Sequence, residues 1–151
     1  MARTQLELSY VAPDTLTTDA KSFKLHPKRQ IVQIAKSIET FDMIVPLLVR
    51  GSHVEVGCAR LLACRQLGLE SVPVIDVSHL SDNQVRAFKI ADNQLCHVGK
   101  WDDQFLAQTL KDLSEQDLDF SLEVTGFDCG EIDFRIQSLD QPPKYEEPDP
   151  P

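Results

Sequence analysis

The chain has 151 residues, 42% of them hydrophobic and 26% charged, with a formal net charge of −9. That length fits one domain with a sizeable core, or a core with appended helices. The acidic balance excludes broad, sequence-independent adhesion to nucleic acid, which needs a basic face, and no apolar run reaches the roughly 20 residues that span a bilayer.

Charge is unevenly distributed. Lys21, Lys24, His26, Lys28, Arg29, Arg50, Arg60 and Arg65 all lie in the first half, and the chain is strongly acidic from Asp92 onward. Cys58, Cys64, Cys96 and Cys129 are irregularly spaced and form no Cys-x-x-Cys pair. Reduced thiols in a cytoplasmic protein are expected from such usage, and the spacing fits no zinc pattern.

Leu6 to Val11 alternates and reads as a first strand, closed by Pro13. A polar loop from Asp14 to Leu25 follows. His26-Pro27 then opens a helix, with Pro27 suited to its first position. Ile31, Ile34, Ala35, Ile38 and Phe41 recur at helical spacing and predict an amphipathic helix to about Thr40. Ile44–Val49 and Val54–Val56 are β-rich, and the Arg50-Gly51-Ser52-His53 stretch between them carries turn chemistry, so the pair reads as a hairpin. His53, at its tip, is expected to be solvated.

The second run stops at Gly57 and passes at once into a helix, Cys58–Leu67, which Gly68 terminates. Gly57 accepts positive φ without steric cost. The amides of Cys58, Ala59 and Arg60 fall in the first turn, where no intrahelical acceptor exists. Free donors at the positive end of the helix dipole make an anion site, and the Arg60 guanidinium can grip a phosphate in two places. Leu61, Leu62 and Leu67 are expected to anchor this helix, with Arg65 facing solvent.

Val72–Val77 reads as another strand, which Pro73 places at an edge unless it marks the start. Ser81-Asp82-Asn83-Gln84 is a capping-box pattern opening a helix to about Asn93. Asp92 and Asn93 are either its C-terminal cap or polar ligands reaching the site. Asp102 is a fitting N-cap for the next helix, with Trp101 packing back on Leu106 and Phe105, Leu106, Leu110 and Leu113 as its inner face. Phe120–Val124 reads as strand or loop, and Asp128 caps a last short helix. The Pro-rich run from Gln141 reads as a disordered tail or linker. The expected organisation is therefore an α/β core over 1–80, a helical extension over 81–140 packed on it, and a tail over 141–151.

Three groups of these residues resemble the ParB/sulfiredoxin superfamily over residues 6–138: His26 and Gln30 with the following helix; Gly57-Cys58-Ala59-Arg60-Leu61-Leu62-Ala63; and Ala91-Asp92-Asn93-Gln94-Leu95 with Trp101-Asp102 and Thr125-Gly126-Phe127-Asp128. The likeness is strongest to ParB-like N-terminal domains associated with phage and bacterial DNA methyltransferases. It implies a small α/β (α+β) fold, with a mixed sheet of about four strands packed with helices and further helices after it. It also implies a nucleotide or phosphate site at Lys24, His26, Gln30, Gly57, Cys58, Ala59, Arg60, Asp92 and Asn93, taking a nucleoside triphosphate with Mg2+. The implied roles are DNA-directed: partition, modification and, in some members, nucleotide hydrolysis or nuclease activity, with DNA or a DNA methyltransferase as partner and no membrane.

The chain departs from the family pattern at several points. Ser22 and Lys24 stand where the family has Asn and Arg, Cys58 replaces the glutamate that serves metal and triphosphate in partition-type members, and no helix-turn-helix of the partition kind is recognisable. CTP hydrolysis therefore does not carry over, and for a nuclease only Asp92 and Glu55 are at hand.

Two other readings remain open from the residues. Cys58 matches the cysteine of the sulfiredoxin Gly-Cys-His-Arg motif, and a helix N-terminus beside Arg60 lowers a thiol pKa, which would make Cys58 the catalytic nucleophile. Alternatively, the acidic C-terminal half docks a partner or mimics nucleic-acid charge, as a non-catalytic interaction module.

Overall fold

A computed structural model describes residues 3–19 and 25–142. Its contacts divide the chain into two compact units, 1–99 and 100–151. The helix that starts at Asp82 lies within the first of these units.

In the first unit, β1 (Leu8–Val11), β2 (Leu47–Arg50), β3 (His53–Val56) and β4 (Val72–Asp76) form one mixed sheet in the order β1-β4-β2-β3. β1 runs antiparallel to β4, β4 parallel to β2, and β2 antiparallel to β3. The four-stranded α/β arrangement expected from the sequence is the one observed. β4 is an inner strand, not an edge. Pro73 is tolerated because it faces Tyr10 of β1 one residue before the ladder to β2 begins at Val74, so no bond to β2 is lost.

Gly51, at φ +60°, takes the first place of the two-residue β2–β3 turn, where a hairpin turn favours glycine. The β2–β3 ladder then shifts register: Leu48 pairs with Val56 and Val49 with Val54. Glu55 is thus the extra residue of a β-bulge. The bulge breaks the alternation, so Val54 and Glu55 are both buried although they are consecutive.

α1 (Lys28–Phe41) and α2 (Cys58–Gln66) cover one face of the sheet. Pro27 is the N-cap of α1 rather than its first residue. Ala35 and Ile38 of α1 meet Leu61, Ala63 and Cys64 of α2 over Leu47, Val49, Val54, Val72 and Val74. Arg65 does not simply face solvent: its Nη2 donates to the carbonyls of Leu16 at 2.7 Å and Pro13 at 3.3 Å. That bond holds down a 3-10 turn (Pro13–Thr15) in the segment expected to be loop. Beyond it, Thr17 bridges to the outer edge of β3.

α3 (Asp82–Val98) starts at the expected capping box, with Ser81 and Gln84 bonding reciprocally. It continues past Asn93, because the first residue that interrupts a helix there is Gly99.

The second unit holds α4 (Asp103–Ser114), a 3-10 turn (Leu122–Thr125) and α5 (Cys129–Ser138). Asp102 caps α4, and Asp128 forms a capping box with Glu131 on α5. Ala107 and Leu110 are buried, but Phe105, expected inside, is exposed. Trp101 packs on Phe127, with ring centroids 6.0 Å apart. The Pro-rich tail lies, from residue 143 on, outside the described residues. Among the described residues no helix is long and apolar enough to cross a membrane.

The helix after Gly57 separates two leucines expected to act alike. Leu61 is 0% exposed, and Leu62 is 44% exposed. Leu61→Ala should lower stability by about 2–5 kcal/mol, and Leu62→Ala by less than about 1 kcal/mol, as read by denaturant unfolding.

Candidate functional site

The bend at Gly57 has the expected form. Gly57 is the N-cap of α2 at φ +104°, ψ 25°, a left-handed conformation that side chains resist. Space forbids a side chain as well, because a Cβ there would lie 2.6 Å from Leu47 Cδ2 and 3.0 Å from Arg60 Nη2. The Arg60 guanidinium is therefore folded back over the bend. Its Nη2 donates to the Pro46 carbonyl at 3.2 Å, and its Nε is buried with no acceptor. Burial pushes the Arg60 pKa down, opposed by the nearby Asp92 carboxylate; a guanidinium stays charged regardless.

A cavity of about 700 Å³ opens beside this bend. Eight of the nine residues expected at the site line it. His26 and Gln30 come from the start of α1, where His26 Nδ1 lies 2.9 Å from Gln30 Oε1. Gly57, Cys58, Ala59 and Arg60 form the α2 start. Asp92 and Asn93 come from α3, where Asn93 is no cap but donates from Nδ2 to the Lys89 carbonyl at 2.7 Å. Lys24, the ninth, lies outside the described residues, as does Ser22.

The sequence reading missed the cavity's own charge network. Glu55, aimed inward by the bulge, is 7% exposed. Lys89 Nζ lies 2.7 Å from its Oε2, and Arg50 Nε donates to its Oε1 at 3.0 Å. Arg50 also reaches Asp82. Asp19 pairs with His53 Nε2 at 3.2 Å and with Lys89 at 3.4 Å, so His53 is paired rather than solvated. Burial pushes Glu55 up, but the hydrogen bonds from Lys89 and Arg50 outweigh it and hold the carboxyl below its ordinary 4.5. Burial pushes Lys89 down, and Glu55 with Asp19 more than restores it. One ligand atom each of Asp19, His53 and Glu55 fall within 4.8 Å of one another. The Lys89 ammonium already supplies the positive charge such a cluster calls for.

The α3 contribution had a visible signal, since Arg86, Lys89 and Asn93 follow i, i+3, i+7 spacing and share one helix face. The Glu55 contribution had none, because strict alternation would turn Glu55 away from the face of Val54.

Cys58 departs from its expected chemistry. Burial pushes its thiol pKa up, and Asp19 and Glu55 add to the rise against the pull of Lys89. Burial outweighs the helix N-terminus here, so Cys58 is not a low-pKa thiol.

Comparison with known proteins places the fold. Residues 3–94 match the ParB N-terminal domain family. The chain belongs to that family. Residues 104–151 match a second family model, the ParB-methyltransferase HTH domain, a helix-turn-helix of a kind that the sequence reading did not name. A ParB-like nuclease domain-containing protein, YnaK of Escherichia coli (strain K12), is 31% identical over 81 residues, covering 53% of this chain and 93% of the relative. The C-terminally truncated chromosome-partitioning protein ParB of Caulobacter crescentus, solved with CTP-gamma-S, superimposes with a TM-score of 0.74 at 19% identity, over 90% of this chain and 80% of that one. At that identity the likeness to the solved structure is one of fold.

Two outcomes test this geometry. Gly57→Ala should destabilise the protein by about 2 kcal/mol or more, from positive φ and contact with Leu47 together. Glu55→Gln should lower stability near neutral pH by roughly 1–3 kcal/mol. Because the folded pKa of Glu55 lies below 4.5, its contribution is complete above about that pH and is lost as pH falls through the folded value. The gap between the two proteins should therefore be constant above pH 4.5 and narrow below it, as measured by urea unfolding across pH.

Proposed function

We propose that the first unit is a nucleotide-binding module of the ParB kind, acting in DNA modification, partition or phage DNA metabolism, with its phosphate seat at the start of α2. The observation that carries this reading is the buried Arg60 Nε, which has no acceptor. A buried donor left unpaired is unfavourable by about 1–3 kcal/mol, and the residue that carries it lines the cavity beside the α2 N-terminus. Glycine at the bend lets backbone and ligand approach closely. Arg86 adds a cation to the cavity lining, and the cavity's volume suits a nucleotide. The ParB solved with CTP-gamma-S shares the fold, which makes CTP the first ligand to try. The match of residues 104–151 supports a DNA-methyltransferase context.

The donor set fits phosphate better than it fits a bare cation. Glu55 and Asp19 are already balanced by Lys89, Arg50 and His53, so Mg2+ would enter with the triphosphate and neutralise part of its charge. The same pairing leaves neither carboxylate free as a general base. Binding, not bond cleavage, is what these residues favour.

Calorimetry of the full chain against CTP and the other nucleoside triphosphates, with Mg2+, tests the reading. Binding should be saturable, and Arg60→Ala should weaken it at least about tenfold, the loss of one charge-assisted hydrogen bond. No heat with any nucleotide, or equal affinity in a folded Arg60→Ala variant, would overturn it.

A further inference from the structure

We propose that the loop between α1 and β2 is the positioning element of the phosphate seat: a strained corner at Asp42 places the Pro46 carbonyl, and that carbonyl orients the Arg60 guanidinium. This role rests on the nucleotide-binding reading of the cavity. The corner is the first observation. Asp42 ends α1 at φ 66°, ψ 174°, and among the described residues it is the one non-glycine with positive φ. That region is essentially reserved for glycine, so a side chain held there is strained. A carboxylate also stands badly at the negative end of the helix dipole, and the last turn of α1 holds no basic residue to offset it. Such strain persists only where the surroundings over-determine the backbone. Hydrogen bonds do so here on both sides: the Asp42 amide donates to the Ile38 carbonyl at 2.9 Å, and the Asp42 carbonyl accepts from the Ile44 amide at 3.0 Å.

The second observation is what the corner delivers. Met43 Sδ lies 3.6 Å from Sγ of the buried Cys64 in α2. Pro46, three residues on, presents its carbonyl to Arg60 Nη2 at 3.2 Å. Ile44 and Val45 between them are 72% and 55% exposed, so apolar burial does not fix that part of the loop. The corner and the two contacts with α2 do. Leu47 then opens β2, and its Cδ2 is the atom that would meet a side chain at Gly57. One short loop thus governs both the room over the bend and the direction of the cation beside it. An arginine side chain carries much rotamer freedom. A guanidinium oriented in advance loses less of it when an anion arrives.

The experiment compares variants of Asp42 in the full chain, each alone and combined with Arg60→Ala. Glycine accepts the corner, so Asp42→Gly should melt about 2 °C or more above the parent. Asparagine keeps the shape and removes the charge, so Asp42→Asn should bind CTP with Mg2+ as the parent does. Valine cannot hold the corner, and Asp42→Val should weaken that binding about fivefold or more by calorimetry. Asp42→Ala, a milder misfit, makes the same comparison where the valine variant does not fold. With Arg60→Ala already present, neither substitution should weaken binding further. Equal losses in both backgrounds would mark a merely structural role and overturn the proposal. Parent-like binding by the misfit variants, or an Asp42→Gly protein that melts below the parent, would overturn it too. A ligand-free readout separates this outcome from that of the nucleotide reading. By NMR, the buried Arg60 Nε proton should exchange slowly with water in the parent and in Asp42→Gly, and faster in the folded misfit variant. If no nucleotide binds and exchange follows that order, the binding reading falls and the positioning role stands; equal exchange in all three overturns the role.

Discussion

A carboxylate cannot be buried in a sheet without counter-charge, and the first unit is arranged to supply it at Glu55. An unpaired buried charge is costly enough that the group would rather neutralise. Here Arg50 from the neighbouring strand takes one oxygen, and Lys89 from α3 takes the other. This arrangement joins β2, β3 and α3 at one point, two residues before the chain must turn at Gly57. Asp19, brought in by the Thr17 bridge beside β3, shares Lys89 and adds His53. The wall opposite the α2 N-terminus is therefore held by ion pairs rather than by apolar packing, and the cavity stays polar where a phosphate would have to sit.

The two units divide the electrostatic work. The first is close to neutral, and its cations converge on a concavity; the second is acidic, with aromatic side chains outside. A chain-wide charge of −9 describes neither part. It hides both the pocket, where Arg60, Arg86 and Lys89 stand against Asp19, Glu55 and Asp92, and the concentrated negative charge of the second unit.

What was legible in the sequence was local chemistry. The strand–glycine–helix junction, the Ser81 capping box, and the Asp102 and Asp128 caps depend on residues a few positions apart, and each is found as expected. Eight of the residues lining the cavity were legible for the same reason, since they stand at helix starts or on a helix face. The rest depends on pairings that one chain does not display. Pro73 signals an edge only when its missing donor would have faced a neighbour, and here the ladder to β2 begins one residue later. Glu55 turns inward through a one-residue register shift against β2, invisible to a period-two reading. Phe105 reads as core by its spacing with Leu106 and Leu110, yet α4 and α5 enclose only the Ala107 and Leu110 side of the stripe.

The cations around the cavity are not equivalent, and the difference separates function from stability. Lys89 is satisfied within the protein: two carboxylates hold it, and without it Glu55 would keep only Arg50. Removing that ammonium would act first on the fold. Arg60 is the opposite case. It makes one bond to a backbone carbonyl, keeps a buried donor without a partner, and lies over a glycine where no side chain fits. Yet α2 holds it, partly desolvated, at an N-terminus that no side chain caps. A group kept charged and under-bonded in that position adds little to stability by itself; what it adds is affinity for an anion that arrives from outside.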